Sequence, residues 1–256
     1  MSILFNKIVS SALNISEKQV ENTIRLLDEG ATIPFISRYR KEVTGALDEV
    51  QIGNIKEQYD KLRELEKRKQ TIITTIDEQG KLTPDLRTRL ENSWDAMEIE
   101  DIYLPYKPKR RTRAEVAREK GLEPLAKILM IQTENNLDIR AQAFVKNDVA
   151  DTEEALKGAR DIIAEWISEN ERARNMVRSI FRKGAIISSH VVKGKEEEAA
   201  KYRDYFDWSE PLRRCSSHRL LAVRRGESEG FLKVSIEPDS ELCIERLEGL
   251  FVKNAT

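Results

Sequence analysis

The sequence predicts a mainly α-helical protein, a multi-helix bundle with one long central helix and a small β-hairpin near the C-terminus. Three observations lead there. Glycine and proline number eleven and seven in 256 residues, whereas all-β folds need frequent turn residues. Charged residues reach 35% and aromatics 6%, against roughly 25% charged in an average domain. Between Asp48 and Gln79, Ile55, Leu62, Lys69 and Ile76 recur every seven residues, with Tyr59, Leu65 and Ile72 between them, which is helical spacing.

The first helix is read from Leu4, Ile8 and Ala12, flanked by Phe5, Val9 and Leu13. Ser16 with Gln19 forms a capping box for the next helix, whose inner face is Val20, Ile24 and Leu27 and whose left-handed stop is Gly30. A short helix over 33–40 follows, so helix, glycine turn and helix outline a helix-turn-helix corner. The rod from Asp48 to Gln79 then carries Glu57–Lys61 and Glu64–Arg68 as i,i+4 pairs. With Lys69 in its seam it is either a coiled-coil strand or a spine packed by helices of its own chain.

Gly80 ends the rod, and Thr83 with Pro84 starts a helix burying Leu86, Leu90 and Trp94. A linker runs from Ile102 to Arg113, and Thr112 with Glu115 restarts helix. Helical spacing continues through 122–130, 138–146, 151–170 and 171–183, the last closed by Gly184. The period then changes: 219–225 and 231–237 read as two strands joined by a turn at 226–230. A final helix covers 241–251.

This divides the chain into a helical domain over 1–105 with the corner and the rod, a helical domain over 106–184 with a basic loop, and a hairpin-containing segment over 185–256. The net charge of −1 conceals an asymmetry, since residues 171–226 hold fourteen Lys or Arg against seven Asp or Glu. A partner meets that patch and not the average. Cys215 and Cys243 have no CxxC spacing, which fits a reducing compartment. With no signal-peptide stretch and no run of eighteen apolar residues, a cytoplasmic protein without membrane contact is expected.

Three blocks carry a family likeness. They are Ala31-Thr-Ile-Pro-Phe-Ile-Ser-Arg-Tyr-Arg-Lys-Glu-Val-Thr-Gly45, Glu100-Asp-Ile-Tyr-Leu-Pro-Tyr-Lys-Pro-Lys-Arg-Arg-Thr-Arg-Ala114 with Gly121-Leu-Glu-Pro-Leu125, and Ser217-His-Arg-Leu-Leu-Ala-Val-Arg-Arg-Gly-Glu227. Together they resemble the signatures of the Tex transcription accessory proteins, and the likeness covers essentially the whole chain. Members of that family are longer and continue into an RNase-H-like domain, helix-hairpin-helix motifs and an RNA-binding barrel, so the sequence resembles their N-terminal region. The resemblance implies a scaffold with an accessory nucleic-acid surface, and partners in the transcription machinery.

The residues themselves offer two binding candidates. Lys107, Lys109, Arg110, Arg111 and Arg113 follow Tyr103 and Tyr106; such cations bind phosphates, and tyrosine rings can stack bases. The plainer account is a solvated loop with its tyrosines anchored beside Ile102 and Leu104. Arg174, Arg178 and Arg182 lie four apart on one helix, which also carries Arg172 and Lys183, while Met176, Val177, Ile180 and Phe181 take the other side. Amphipathicity explains the apolar side but leaves the near absence of acid on the polar one. The corner places Arg38, Arg40 and Lys41 at the end of its second helix, whereas recognition helices read bases from their beginning; a packing corner is the better account.

No catalytic machinery is expected. Ser217 beside His218 makes no hydrolase pair, and no nucleophile elbow, P-loop, dinucleotide fingerprint or HExxH occurs. No cofactor, metal or small-molecule substrate is expected either. The function anticipated is a nucleic-acid-associated scaffold that holds RNA or DNA weakly and without reading sequence. The alternative is a protein-interaction module that docks other domains or the transcription machinery.

Overall fold

The long helix forms where its signals place it. Asp48 accepts from the Gln51 amide at 2.7 Å while the Gln51 side chain accepts from the Asp48 amide at 3.0 Å, a reciprocal cap. The computed structural model, which describes residues 2–108, 111–146 and 148–253, divides by backbone contact into the units Met1–Lys107 and Pro108–Thr256.

The first unit contains α1 (Ser2–Leu13), α2 (Glu17–Asp28), α3 (Ile33–Tyr39), α4 (Lys41–Thr44), α5 (Glu49–Glu78), α6 (Pro84–Asn92) and α7 (Ala96–Tyr103). The Ser16–Gln19 box and the left-handed glycines 30 and 80 are present. At 30 residues and 1.5 Å per residue, α5 is about 45 Å long. It serves two cores in turn. Its first half buries Ile52, Ile55, Tyr59 and Leu62 against Phe5, Val9, Val20, Ile24 and Ile36. Its second half buries Ile72, Ile73 and Ile76 against Leu90, Ile99, Ile102 and Tyr103. The heptad positions are thus covered by helices of the same chain, and α5 is a spine.

Lys69 lies between the two cores and is 1% exposed. Its ammonium donates to the carbonyls of Glu91 at 2.7 Å and Ser93 at 3.2 Å. It thereby satisfies the open C-terminus of α6, where the helix dipole favours a cation. The Trp94 ring covers it, with Nζ 3.7 Å from the ring centroid; α6 ends at Asn92, so Trp94 lies beyond the helix predicted to bury it. Of the two expected i,i+4 pairs, Glu57–Lys61 forms at 2.6 Å. Arg68 instead makes a two-toothed bond to Glu100 at 2.6 and 3.0 Å, tying α5 to α7.

The second unit contains α8 (Arg113–Glu119), α9 (Glu123–Ile131), α10 (Leu137–Gln142), α11 (Thr152–Glu169), α12 (Glu171–Gly184), β1 (Ile186–Val191), β2 (Asp207–Pro211), α13 (Ser217–Ser228), β3 (Leu232–Glu237) and α14 (Ser240–Phe251). Alanines 114, 117, 126, 141, 155 and 159 dominate its helical core and let backbones approach closely. At Gly158 an added Cβ would stand 2.4 Å from Leu122 Cδ1. The antiparallel sheet has the order β2-β1-β3. Ile187 and Ser189 of the central strand are fully buried, and the Ser189 hydroxyl donates to the Tyr205 carbonyl at 2.7 Å. On the opposite face Ser188 and Ser235 lie 2.8 Å apart across the ladder.

The predicted hairpin is corrected in one strand. Residues 232–237 are β3, but 219–225 belong to α13. Val223 and Gly226 are its buried positions, three apart, while Leu221 is 70% exposed. Gly226 is not a turn residue: it lies where the helix touches Leu232, and Gly230, at φ +74, ends the helix. The partner of β3 is β1, a strand outside the predicted hairpin. The linker also begins later than Ile102, since α7 runs through Tyr103. Among the described residues, no helix is long and apolar enough to cross a membrane.

Candidate nucleic-acid interface

Asn170 caps α12, accepting from the Ala173 amide at 3.1 Å. The helix then carries Arg172, Arg174, Arg178, Arg182 and Lys183 against one acid, Glu171. The cations fall into two groups. Arg174 and Arg178 are half-buried and engaged by neighbours, Arg174 donating to the Ser168 carbonyl at 3.4 Å. Arg182 and Lys183 occupy the last turn and are exposed.

The strand register decides what lies beside them. Ile186, just past the helix, pairs with Pro211, and the Leu212 amide donates to the Ala185 carbonyl at 2.8 Å. The 3-10 turn Leu212–Arg214 therefore packs on α12; this turn carries exposed Arg213 and Arg214, and the last turn of the helix carries Arg182 and Lys183. Among the described residues none of these four is in an ion pair. Cations at a helix C-terminus offset the dipole; four together also raise a local field that draws polyanions.

The basic loop divides between the two units. Tyr106 ends a 3-10 turn, its ring against the second α5 core and its carbonyl accepting from Gln79 at 2.8 Å. Lys107 is exposed, and Lys109 and Arg110 lie outside the described residues. In the second unit Arg111 meets Glu119 at 3.0 Å and Arg113 meets Asp161 at 4.0 Å. Both arginines line a cavity of about 430 Å³ with Lys120, Lys157, Glu154 and Asp161. Lys120 holds the Glu154 carboxyl below the usual glutamate value through a 2.6 Å bond. Thr112 accepts from the Glu115 amide as expected, but the Glu115 carboxylate turns to Arg118.

Imidazole geometry offers little chemistry. His218 Nε2 is 3.4 Å from the Ser216 hydroxyl, both at the exposed start of α13, and His190 is 3.4 Å from Asp207 across the ladder. Among the described residues no group of three His, Cys, Asp or Glu side chains could hold a metal ion.

Residues 4–77 match the family model described as Tex-like protein N-terminal domain, and residues 132–254 match the one described as Tex central region-like. The chain belongs to the Tex family. Protein YhgF of Escherichia coli (strain K12) is 47% identical over 243 residues, 94% of this chain and 31% of that protein. The Transcriptional accessory protein Tex of Neisseria gonorrhoeae is 44% identical over 244 residues, 94% of this chain and 32% of that protein. The human S1 RNA-binding domain-containing protein 1 is 28% identical over 240 residues, 90% of this chain and 24% of that protein. The chain thus spans about a third of the length of its bacterial Tex relatives.

Within the Tex frame, α1–α5 fall in the N-terminal match and α12 with the whole sheet in the central one, while the basic loop lies between the two. The charge bias of their helix makes Arg182 and Lys183 candidates in the sequence. Arg213 and Arg214 contribute to the same bias but sit in a stretch to which the sequence assigns no element, and the structure adds them to the candidates. A strand reading of 186–191, rich in Ile and Val, was the available signal.

Proposed function

We propose that this chain is a nucleic-acid-associated helical scaffold of a Tex-type transcription accessory protein, holding RNA or DNA by its phosphates without reading bases. The observation that carries the reading is that Arg182 and Lys183, and Arg213 and Arg214, are exposed on two elements that pack together, α12 and the 3-10 turn, and are in no ion pair among the described residues. Arg174 and Arg178 extend it along α12. The Arg111–Glu119 pair, exposed on both sides, contributes at most about 1 kcal/mol, so a phosphate can replace the carboxylate. The relatives' names, a transcriptional accessory protein and an S1 RNA-binding domain-containing protein, support the same class of partner. The work is binding and presentation, with no bond made or broken.

If four duplex phosphates are contacted, affinity falls about 100-fold between about 50 and 200 mM salt. Fluorescence anisotropy with labelled RNA and DNA measures this. Reversing the four cations to glutamate lowers affinity on every sequence and flattens the salt slope by about one per lost phosphate contact. Unchanged affinity in that variant, or no binding at low salt, overturns the reading.

One observation favours a second reading, a protein-docking module. Ala164, Ile167, Val177, Phe181 and Leu247 line an apolar groove of about 570 Å³ among α11, α12 and α14, suited to the apolar face of an amphipathic helix. Affinity capture with and without nuclease separates the two: partners kept after nuclease treatment belong to the groove.

A further inference from the structure

The outward face of α3 holds an arrangement that core packing does not explain. Ile36 and Ser37 turn inward and are buried, fixing α3 against α5. Phe35 and Tyr39, one turn apart, consequently face solvent, 41% and 64% exposed. Their ring centroids are 5.4 Å apart at an interplanar angle of 43°, and the Arg40 guanidinium lies over Phe35 at 5.3 Å from its centroid. Thr32, which accepts from the Phe35 amide, and Pro34 in the first turn hold the helix start.

Arg38, Arg40 and Lys41 are exposed and, among the described residues, in no ion pair. Glu42 is the one acid between residues 31 and 47. Single exposed aromatics need no explanation. Paired rings ringed by cations differ, because apolar area left in water is unfavourable until something covers it.

We propose that this face is a stacking platform for single-stranded nucleic acid. An unpaired base lies on the Tyr39 ring, Phe35 flanks that ring with Arg40 seated over Phe35 in turn, and Arg38 and Lys41 hold the flanking phosphates. The cation excess selects a polyanion. The open ring selects unpaired bases, since in a duplex the base faces are already covered by their neighbours. The platform lies in the unit Met1–Lys107 and α12 in the other, so this inference does not rest on the α12 reading.

Anisotropy of the full chain with labelled oligouridine, oligothymidine and a duplex of equal length, each about twelve nucleotides, tests it at about 50 mM salt. Tyr39→Ala weakens both single strands about 5- to 100-fold, Tyr39→Trp retains them, and the duplex changes less than about twofold. The four-cation reversal at α12 and its neighbouring turn weakens single strand and duplex alike, which keeps failure of either idea distinguishable. Single-strand affinity unchanged in Tyr39→Ala overturns the proposal and leaves the rings to a protein partner. Equal losses on single strand and duplex, or no single-strand binding by the unmodified chain, also overturn it.

Discussion

Lys69 shows how a single residue can be costly and necessary together. Burial pushes its ammonium below the ordinary lysine value, with Glu66 at 3.5 Å opposing the shift. Yet the same group satisfies two carbonyls at the end of α6. Lys69→Met leaves both carbonyls unpaired in a dry site and should cost about 1–3 kcal/mol, read from urea unfolding. The pH dependence has a definite sign. The unfolded chain binds this proton more tightly than the folded one, so stability rises as pH climbs from the folded-state value toward the ordinary lysine value of 10.5. That alkaline rise should be absent from Lys69→Met; its persistence would show that Lys69 is not the group responsible.

At the scale of elements, helical glycines divide by what stands opposite them. A Cβ at Gly226 would lie 2.6 Å from Leu232 Cδ1 and 3.3 Å from Tyr202 Cδ1, while at Gly53 and Gly249 nothing stands within 4 Å. Gly226→Ala should therefore destabilise by about 1–2 kcal/mol, overpacking exceeding the helix-propensity gain. Gly53→Ala and Gly249→Ala should each stabilise by up to about 1 kcal/mol. Thermal melts in which all three shift the same way would refute this division. Gly226 also marks where the sequence stopped being legible. Helix α5 could be read because its cap, its apolar period and its glycine stop all agree. A glycine that ends a strand and one that admits a neighbouring leucine look the same in one dimension. Strand β2, Asp-Trp-Ser-Glu-Pro, has the composition of a loop and becomes a strand through pairing with β1. Buried Ser189 interrupts the apolar pattern of β1, and what satisfies it is a carbonyl sixteen residues away. The candidate interface was legible to the same depth: its half on α12 follows from local spacing, its half on the 3-10 turn from register.

For the molecule as a whole, the unit boundary after Lys107 falls within a segment dense in arginine. The Arg111 and Arg113 side chains are 73% and 86% exposed. Limited trypsin digestion should cut first after one of them, leaving two products that retain helical circular dichroism. Early cleavage within α5 or α11, with this segment intact, would contradict the division. The ladder between β1 and β2 sets a different tolerance within the second unit. Because Ile186 faces Pro211, the spacing of the four candidate cations depends on strand alignment and not on the length of chain between the strands. Insertions into the 193–199 connection should leave the charge array in place. Deleting one residue of β2 would turn each later side chain to the opposite side of the sheet and carry Arg213 and Arg214 away from α12, so lineages that keep this surface should vary freely in that connection and hardly at all in the strand.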